Sequence, residues 1–542
     1  MMPKPATFIG CVLTLLLAMT NDCPAQDTGK ETKLELKVRE RKETAGGSGR
    51  YHALQRQESW SPTNSAVVVC DMWDLHHCLN ATLRGGEMAP RMNQVINKAR
   101  KLGFTIIHAP SSCIEPYKNH PARKRVLSTP RSKNLPKDID AWCSRIPEED
   151  AGKYPIDQSD GGEDDDPEAH RKWAEELKSR GRNPRAPWKS QTDKIDIHDI
   201  DYISDNGSEV WSVLEDRKVE NVILLGVHTN MCVLGRPFGL RQMARNGKNV
   251  VLMRDMTDTM YNPAMPPFVS HFTGTDLIVE HIEKFVCPTI TSDSFLGGGT
   301  FRFKNDKRPN LLIIMAEQEY KTNQTLPTFA AKHLGHLFKV DYVHASEKER
   351  NDLPGIEAIK EADIVLVSVR RRLLPKPKMK LLIDFASRGK PIVAIRTASH
   401  AFAMRKKGEW KDDLVEWSEF DRDIIGGNYT GHHGNGPRVA LSYPGISLTE
   451  KAHPILKGVD LGELKGCGSL YRTTPLAKSA TELVRGTIAG KAPEAIAWTN
   501  KTSSGGRVFY TSLGHVDDFA QPGMNILLRN ALCWAVGMDV PE

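Results

Sequence analysis

Short apolar, β-branched runs alternate twice along this chain with segments of helical period, and that alternation constrains the fold more than any other feature. In the first half, residues 66–70, 104–108, 222–225 and 250–253 read as strands. Between them, residues 89–102 carry Met92, Val95, Ile96 and Ala99 at the spacing of one helix face, and 209–214, 236–245 and 275–285 read as further helices. In the second half, strands are predicted at 310–315, 364–369, 391–395 and 508–511, with helices at 326–337, 378–387 and 524–534. No internal sequence repeat links the halves. The pattern implies an α/β chain of two three-layer domains, each a mostly parallel sheet with helices on both faces. Ligands of such sheets bind beyond the carboxyl ends of the strands.

The 542 residues suffice for two or three domains. Residues 1–25 read as an export signal: Lys4 supplies positive charge, 8–19 form an apolar core too short to span a bilayer, and Cys23-Pro24-Ala25 offers a cleavage site. The expectation is a protein exported to the periplasm or beyond, with no membrane partner after cleavage. Residues 26–62 are polar and charged and read as a flexible leader. The first domain is placed at 63–290, a linker containing Gly297-Gly298-Gly299 at 291–308, and the second domain at 309–542. The acidic runs 148–150 and 163–166 read as solvated loops. A formal charge of +7 is small for this length, and no basic patch interleaved with aromatics points to nucleic acid. Eight cysteines follow the signal without a Cys-x-x-Cys, so mostly unpaired, buried thiols are expected.

Residues 226–233, Gly-Val-His-Thr-Asn-Met-Cys-Val, follow one predicted strand and precede a predicted helix. Cys232 therefore stands at a strand-to-helix turn, where backbone N–H groups and the helix dipole favour negative charge. Both favour the nucleophilic thiolate. Residues 65–74, Ser-Ala-Val-Val-Val-Cys-Asp-Met-Trp-Asp, place Asp71 at the carboxyl end of another strand.

These two blocks, in this order, resemble the isochorismatase-like cysteine hydrolases, the superfamily of nicotinamidases and related amidases. The resemblance implies Cys232 as nucleophile, Asp71 as general base and proton carrier, a lysine beside them, and an oxyanion hole from the Cys232 N–H and a neighbour. It also implies a cis peptide bond between Val227 and His228. Lys194 is the candidate lysine, although His198 and Asp199 fall closer to the expected position, and Lys189 is a further candidate. Trp73 replaces the usual glutamine, and His76-His77 the usual aromatic. Trp73, His198, His228 and Thr229 are the predicted substrate contacts. Residues 108–113 lack the metal-binding pattern of nicotinamidases, so no metal and no cofactor is expected. The implied substrate is a small amide, imide, carbamoyl compound or enol ether, and the superfamily is often a homo-oligomer.

Residues 316–320, 391–400 and 506–515 resemble the ThuA-like family, named for trehalose utilisation, with the flavodoxin-like fold of class I glutamine amidotransferases. The turn at 396–399 holds no cysteine, so glutaminase activity is not expected. Glu319, His400, His433 and His515 are candidates to line one pocket beside the glycine-rich loop 426–434, with a carbohydrate or other polyol as ligand. Ser399 next to His400 reads as part of a turn. Two other readings stay open: a binding protein built from two degenerate enzyme folds, and a redox-responsive scaffold.

Overall fold

The computed structural model describes residues 1–2, 33–405, 410, 413–434, 438–444 and 453–541. Most of residues 1–25, read above as an export signal, lie outside the described residues.

The first domain is built on an eight-stranded sheet. Its strands are β1 (Leu34–Glu43), β2 (Tyr51–Trp60), β3 (Ser65–Cys70), β4 (Thr105–Ala109), β5 (Tyr202–Ile203), β6 (Asn221–Val227), β7 (Asn249–Asp258) and β8 (Thr289–Ile290). They run in the order β2-β1-β8-β7-β6-β3-β4-β5, parallel from β8 to β5. Side chains on a strand point alternately to its two faces. In β3, Val67 and Val69 join the core under the helix Leu79–Leu102, while Ala66, Val68 and Cys70 join the core under Gly207–Asp216 and His271–Phe285. Both faces are thus covered, as the alternation predicts.

Residues 34–60 are not the flexible leader expected. They form the antiparallel β1–β2 hairpin, which extends the sheet through β8. Leu36 and Val38 alternate with charged residues and are buried. Arg41 on the same strand is also buried and bridges the two domains, donating to Glu283 (3.1 Å) in the first and Asp341 (3.0 Å) in the second. The linker at 291–308 is likewise packed: Phe301 and Phe303 lie against the first core, and Arg308 is buried beside Asp276 and Asp306.

The second sheet has nine strands. Lys339–His344, Asn310–Ala316, Ile364–Val369, Ile392–Ile395 and Arg507–Thr511 run parallel in that order. Glu494–Lys501, Thr481–Thr487, Val439–Ser442 and Lys465–Gly466 continue it antiparallel. Helices Thr322–His333 and Pro522–Ala535 cover one face, and Lys376–Ser387 the other. The two-domain α/β architecture matches the sequence expectation. All eight cysteines among the described residues are unpaired, seven of them buried.

Candidate functional site

Three local features carry Cys232 to Asp71. Strands β3 and β6 are adjacent and parallel, so their carboxyl ends coincide. Gly226 sits near the end of β6 at φ 114°, and a Cβ there would lie 2.0 Å from the Cys70 carbonyl oxygen. Only glycine permits this approach of the two chains. The peptide bond Val227–His228 is cis, as expected, and Thr229–Val233 winds into a single wide turn that carries Cys232. The following helix starts at Leu240 rather than at the expected residue 236, so its N-terminus lies further from Cys232 than the sequence pattern suggests.

Asp71 is fully buried, with its backbone at φ 47°. The Ser111 N–H donates to Asp71 Oδ1 (2.7 Å), and Arg236 Nε–H donates to Oδ2 (3.0 Å). Cys232 lies close enough to the same carboxyl that each acts on the other's titration, and the His228 backbone pulls the thiol the other way. Burial raises the Asp71 carboxyl above its ordinary range, while Arg236 and Ser111 pull the other way. Burial, then the charge of Asp71, pushes the Cys232 thiol up to about 12. The resting site therefore holds a thiol, not the thiolate expected from a helix terminus.

The cation beside Asp71 is Arg236, not lysine. Lys194 is exposed, and its Nζ donates to the Gly86 carbonyl (2.9 Å). Lys189 is also exposed and donates to the Gly181 carbonyl. His198 lies on an exposed loop, its N–H donating to Asp201 (2.7 Å). Arg236 stands only four residues after Cys232, and that short offset is the signal in the sequence that points to it. A guanidinium stays protonated throughout the physiological range, so Arg236 can orient Asp71 and hold its charge but cannot exchange protons with it.

An aromatic wall leads away from the sulfur. His228 packs edge-on to His76 (4.8 Å between ring centres), and Trp73 stacks on Trp188 (4.7 Å). Trp73 Nε1–H donates to the Ser111 carbonyl (3.1 Å). Burial, chiefly, holds His228 down at about 4, so its imidazole is neutral. Thr229 is tied to Thr257 (2.7 Å) and the Asp258 carbonyl (2.9 Å), which makes it a brace for the turn rather than a substrate contact.

Behind the turn, the acidic runs are solvated only in part: Glu148, Asp150 and Asp166 are exposed, while Glu149, Asp164 and Asp165 turn inward. Asp164 and Asp258 clasp Arg84 and His271 at 2.7–3.2 Å. Glu149 is buried against Arg241 and His281, each at 2.8 Å. Cys78, Asp164 and Asp165 bring potential metal-ligand atoms within 4.8 Å of one another. Their oxygens are already engaged, since Asp165 caps Leu79 and Asn80 (2.7 Å each) and Asp164 holds Arg84.

In the second domain, the carboxyl ends of the parallel strands carry a different constellation. Arg396, buried at φ 48°, donates to the Ser512 carbonyl (2.6 Å) and lies over the rings of Tyr320 (4.6 Å) and Tyr471 (4.4 Å). His515 packs edge-on to Tyr320, and His400 lies on the far side against Tyr429 (4.4 Å) and Tyr471. His515 and His400 therefore flank one cluster without touching. Glu319 is exposed and paired with Arg370 (2.8 Å). The His433 N–H donates to the Leu470 carbonyl (2.9 Å), while its Nε2 has no partner among the described residues. Ser399 Oγ lies 3.2 Å from His400 Nδ1, closer than the turn reading expects. Burial and then the surrounding arginines hold His400 down at about 2, too weak a base to activate a hydroxyl.

No curated protein matches the chain. Among solved structures, a ThuA-like protein from Bacteroides uniformis is 18% identical over 44% of this chain and 96% of its own, at a TM-score of 0.32. A cysteine hydrolase from Pseudomonas syringae pv. phaseolicola is 14% identical over 43% of this chain and 91% of its own, at 0.26. An isochorismatase family protein from Burkholderia thailandensis is 14% identical over 36% and 79%, at 0.19. Residues 310–535 match the family model ThuA, described as trehalose utilisation, so the C-terminal half of this chain carries a ThuA domain.

Proposed function

We propose that the first domain is a cysteine hydrolase acting on a small amide, imide or carbamoyl compound. One observation carries this reading: Cys232 stands beyond the end of a strand whose parallel neighbour ends at Asp71, a fully buried carboxyl bonded to Arg236 at 3.0 Å and near enough to act on the thiol. Isolating a carboxyl from water costs stability, which the Ser111 and Arg236 bonds offset, and a perturbed carboxyl beside a cysteine is the kind of arrangement found at reactive sites. In the proposed reaction the sulfur attacks the carbonyl carbon as its proton passes to Asp71. The carbon–nitrogen bond then breaks, and the leaving nitrogen takes that proton. Water attacks the resulting thioester and gives a proton to Asp71. The acid departs, and the proton returns to the thiolate. The wall of His228, His76, Trp73 and Trp188 suits a flat carbonyl compound.

For the ThuA domain the proposal is a carbohydrate-binding module, supported by the family match and by the tyrosines and histidines beyond the strand ends. Export, on the pattern of residues 1–25, belongs to the same proposal. N-terminal sequencing of the mature chain, expected to begin near Gln26, tests it.

A panel of small amides, imides and carbamoyl compounds tests the hydrolase. Turnover by the native chain, lost about a thousandfold or more in Cys232→Ala and Asp71→Asn, is the expected result. Turnover that persists in Cys232→Ala overturns the proposal.

A further inference from the structure

We infer that the cleft of the ThuA domain binds a small polyol carrying a negative charge, as carboxylate or phosphate, held by Arg371 and Arg405. The inference rests on the carbohydrate reading above and adds the charge to it.

The cleft holds about 660 Å³, a volume suited to a mono- or disaccharide, and Arg371, Arg405, Ser399, His400, Asp421 and Tyr429 line it. Its cations are unequally compensated. Arg370 is paired with Glu319, and Arg422 with Asp423. Among the described residues no carboxylate lies within ion-pair distance of Arg371 or Arg405. Arg371 stands just beyond the strand Ile364–Val369 at φ 47°, and its guanidinium donates one bond among the described residues, to the Ala403 carbonyl (2.8 Å). Its Nε–H is buried without a partner among the described residues. Buried donors of this kind are almost always satisfied in the working state of a protein. Burial and then the neighbouring Arg405 hold the Arg371 guanidinium below its ordinary value, a repulsion that a bound anion relieves.

The rest of the cleft supplies partners for hydroxyl groups. Asp421 Oδ2 accepts the Tyr429 N–H (2.7 Å), while Oδ1 is buried without a partner among the described residues. His400 is neutral and stacked on Tyr429, so it adds no competing charge. Two unpaired cations on one side and a free carboxyl oxygen on the other fit a ligand with an anionic group and hydroxyls.

Calorimetric titration of the full chain with D-glucuronate, D-glucose 6-phosphate, D-glucose and inorganic phosphate tests the inference. One or both sugar anions should bind about ten- to a hundredfold more tightly than glucose, the worth of a hydrogen bond to a charged group. Arg405→Gln, at an exposed position, should lose about the same factor with an unchanged melting temperature. Arg371→Lys should retain part of the affinity that Arg371→Gln loses. Preference between glucuronate and glucose 6-phosphate identifies the anion. Glucose binding as tightly as both anions overturns the charge claim and leaves the carbohydrate reading standing. Inorganic phosphate matching the sugar anions overturns the polyol claim and the carbohydrate reading together. Absence of binding by all four at millimolar concentration sinks both, and sugar-anion binding unaffected by either arginine substitution overturns the assignment to this cleft.

Discussion

Replacing Arg236 by Met should shift the pH dependence of Cys232 reactivity upward. Arg236 Nε lies 3.0 Å from Asp71 Oδ2, with its side chain about a quarter exposed and that of Asp71 fully buried. Two unit charges about 4 Å apart interact by about 4 kcal/mol at an effective dielectric of 20. Exposure of one partner reduces this by roughly half, to about 2 kcal/mol, equivalent to about 1.5 pKa units. Asp71 already sits above its usual range, so losing the guanidinium drives it higher. The carboxylate form that receives the thiol proton then appears only at higher pH. Iodoacetamide measures this without knowledge of the substrate: the sulfur–carbon bond forms, iodide leaves and the thiol proton passes to Asp71. Labelling of the Cys232 peptide, followed by mass spectrometry across pH, should show its acid limb displaced upward by about one to two units. Arg236→Lys preserves the charge and should shift it less. An Arg236→Met profile that superimposes on the native one refutes the reasoning.

Lys194→Ala should leave the Cys232 labelling profile unchanged and stability within about 0.5 kcal/mol, because Lys194 is exposed and bonded only to a carbonyl. A displaced profile would restore the lysine assignment. His271 is raised to about 9, chiefly by Asp258 against the opposing effect of burial. Its contribution, on the order of 3 kcal/mol, is full below its unfolded pKa of about 6.5 and is lost as pH rises through about 9. Native melting temperature should fall over that window, and His271→Gln should flatten the fall; parallel curves would contradict the sign. Gly226→Ala forces a Cβ onto the Cys70 carbonyl and should destabilise the first domain by about 3 kcal/mol or more, read by denaturant unfolding. A stable Gly226→Ala protein with native Cys232 reactivity would show that the close approach is not required.

The central strands were legible because burial on both faces demands continuous apolar runs, and β3 and β6 have them. Asp71 and Cys232 were legible as strand-end residues, since parallel neighbours necessarily bring such ends together. The β1–β2 hairpin was hidden by its charge: Leu34, Leu36 and Val38 do alternate, but Arg39 and Arg41 turn toward Glu283 and mimic a solvated strand. The antiparallel strands Thr481–Thr487 and Glu494–Lys501 were missed because polar residues interrupt their apolar pattern. Glu149 and Asp164 looked solvated because their partners, Arg241, His281, Arg84 and His271, lie far away in the chain. Arg236 was near at hand, yet its role depends on the irregular turn after Val227, which no periodicity encodes.

The most direct test of the hydrolase account is rapid acid quenching of the native chain during turnover of a small amide, followed by peptide mass analysis. The account predicts an acyl group on Cys232 whose mass equals that of the substrate less its leaving amine. Steady turnover with an unmodified Cys232, or with the acyl group on another residue, would contradict it.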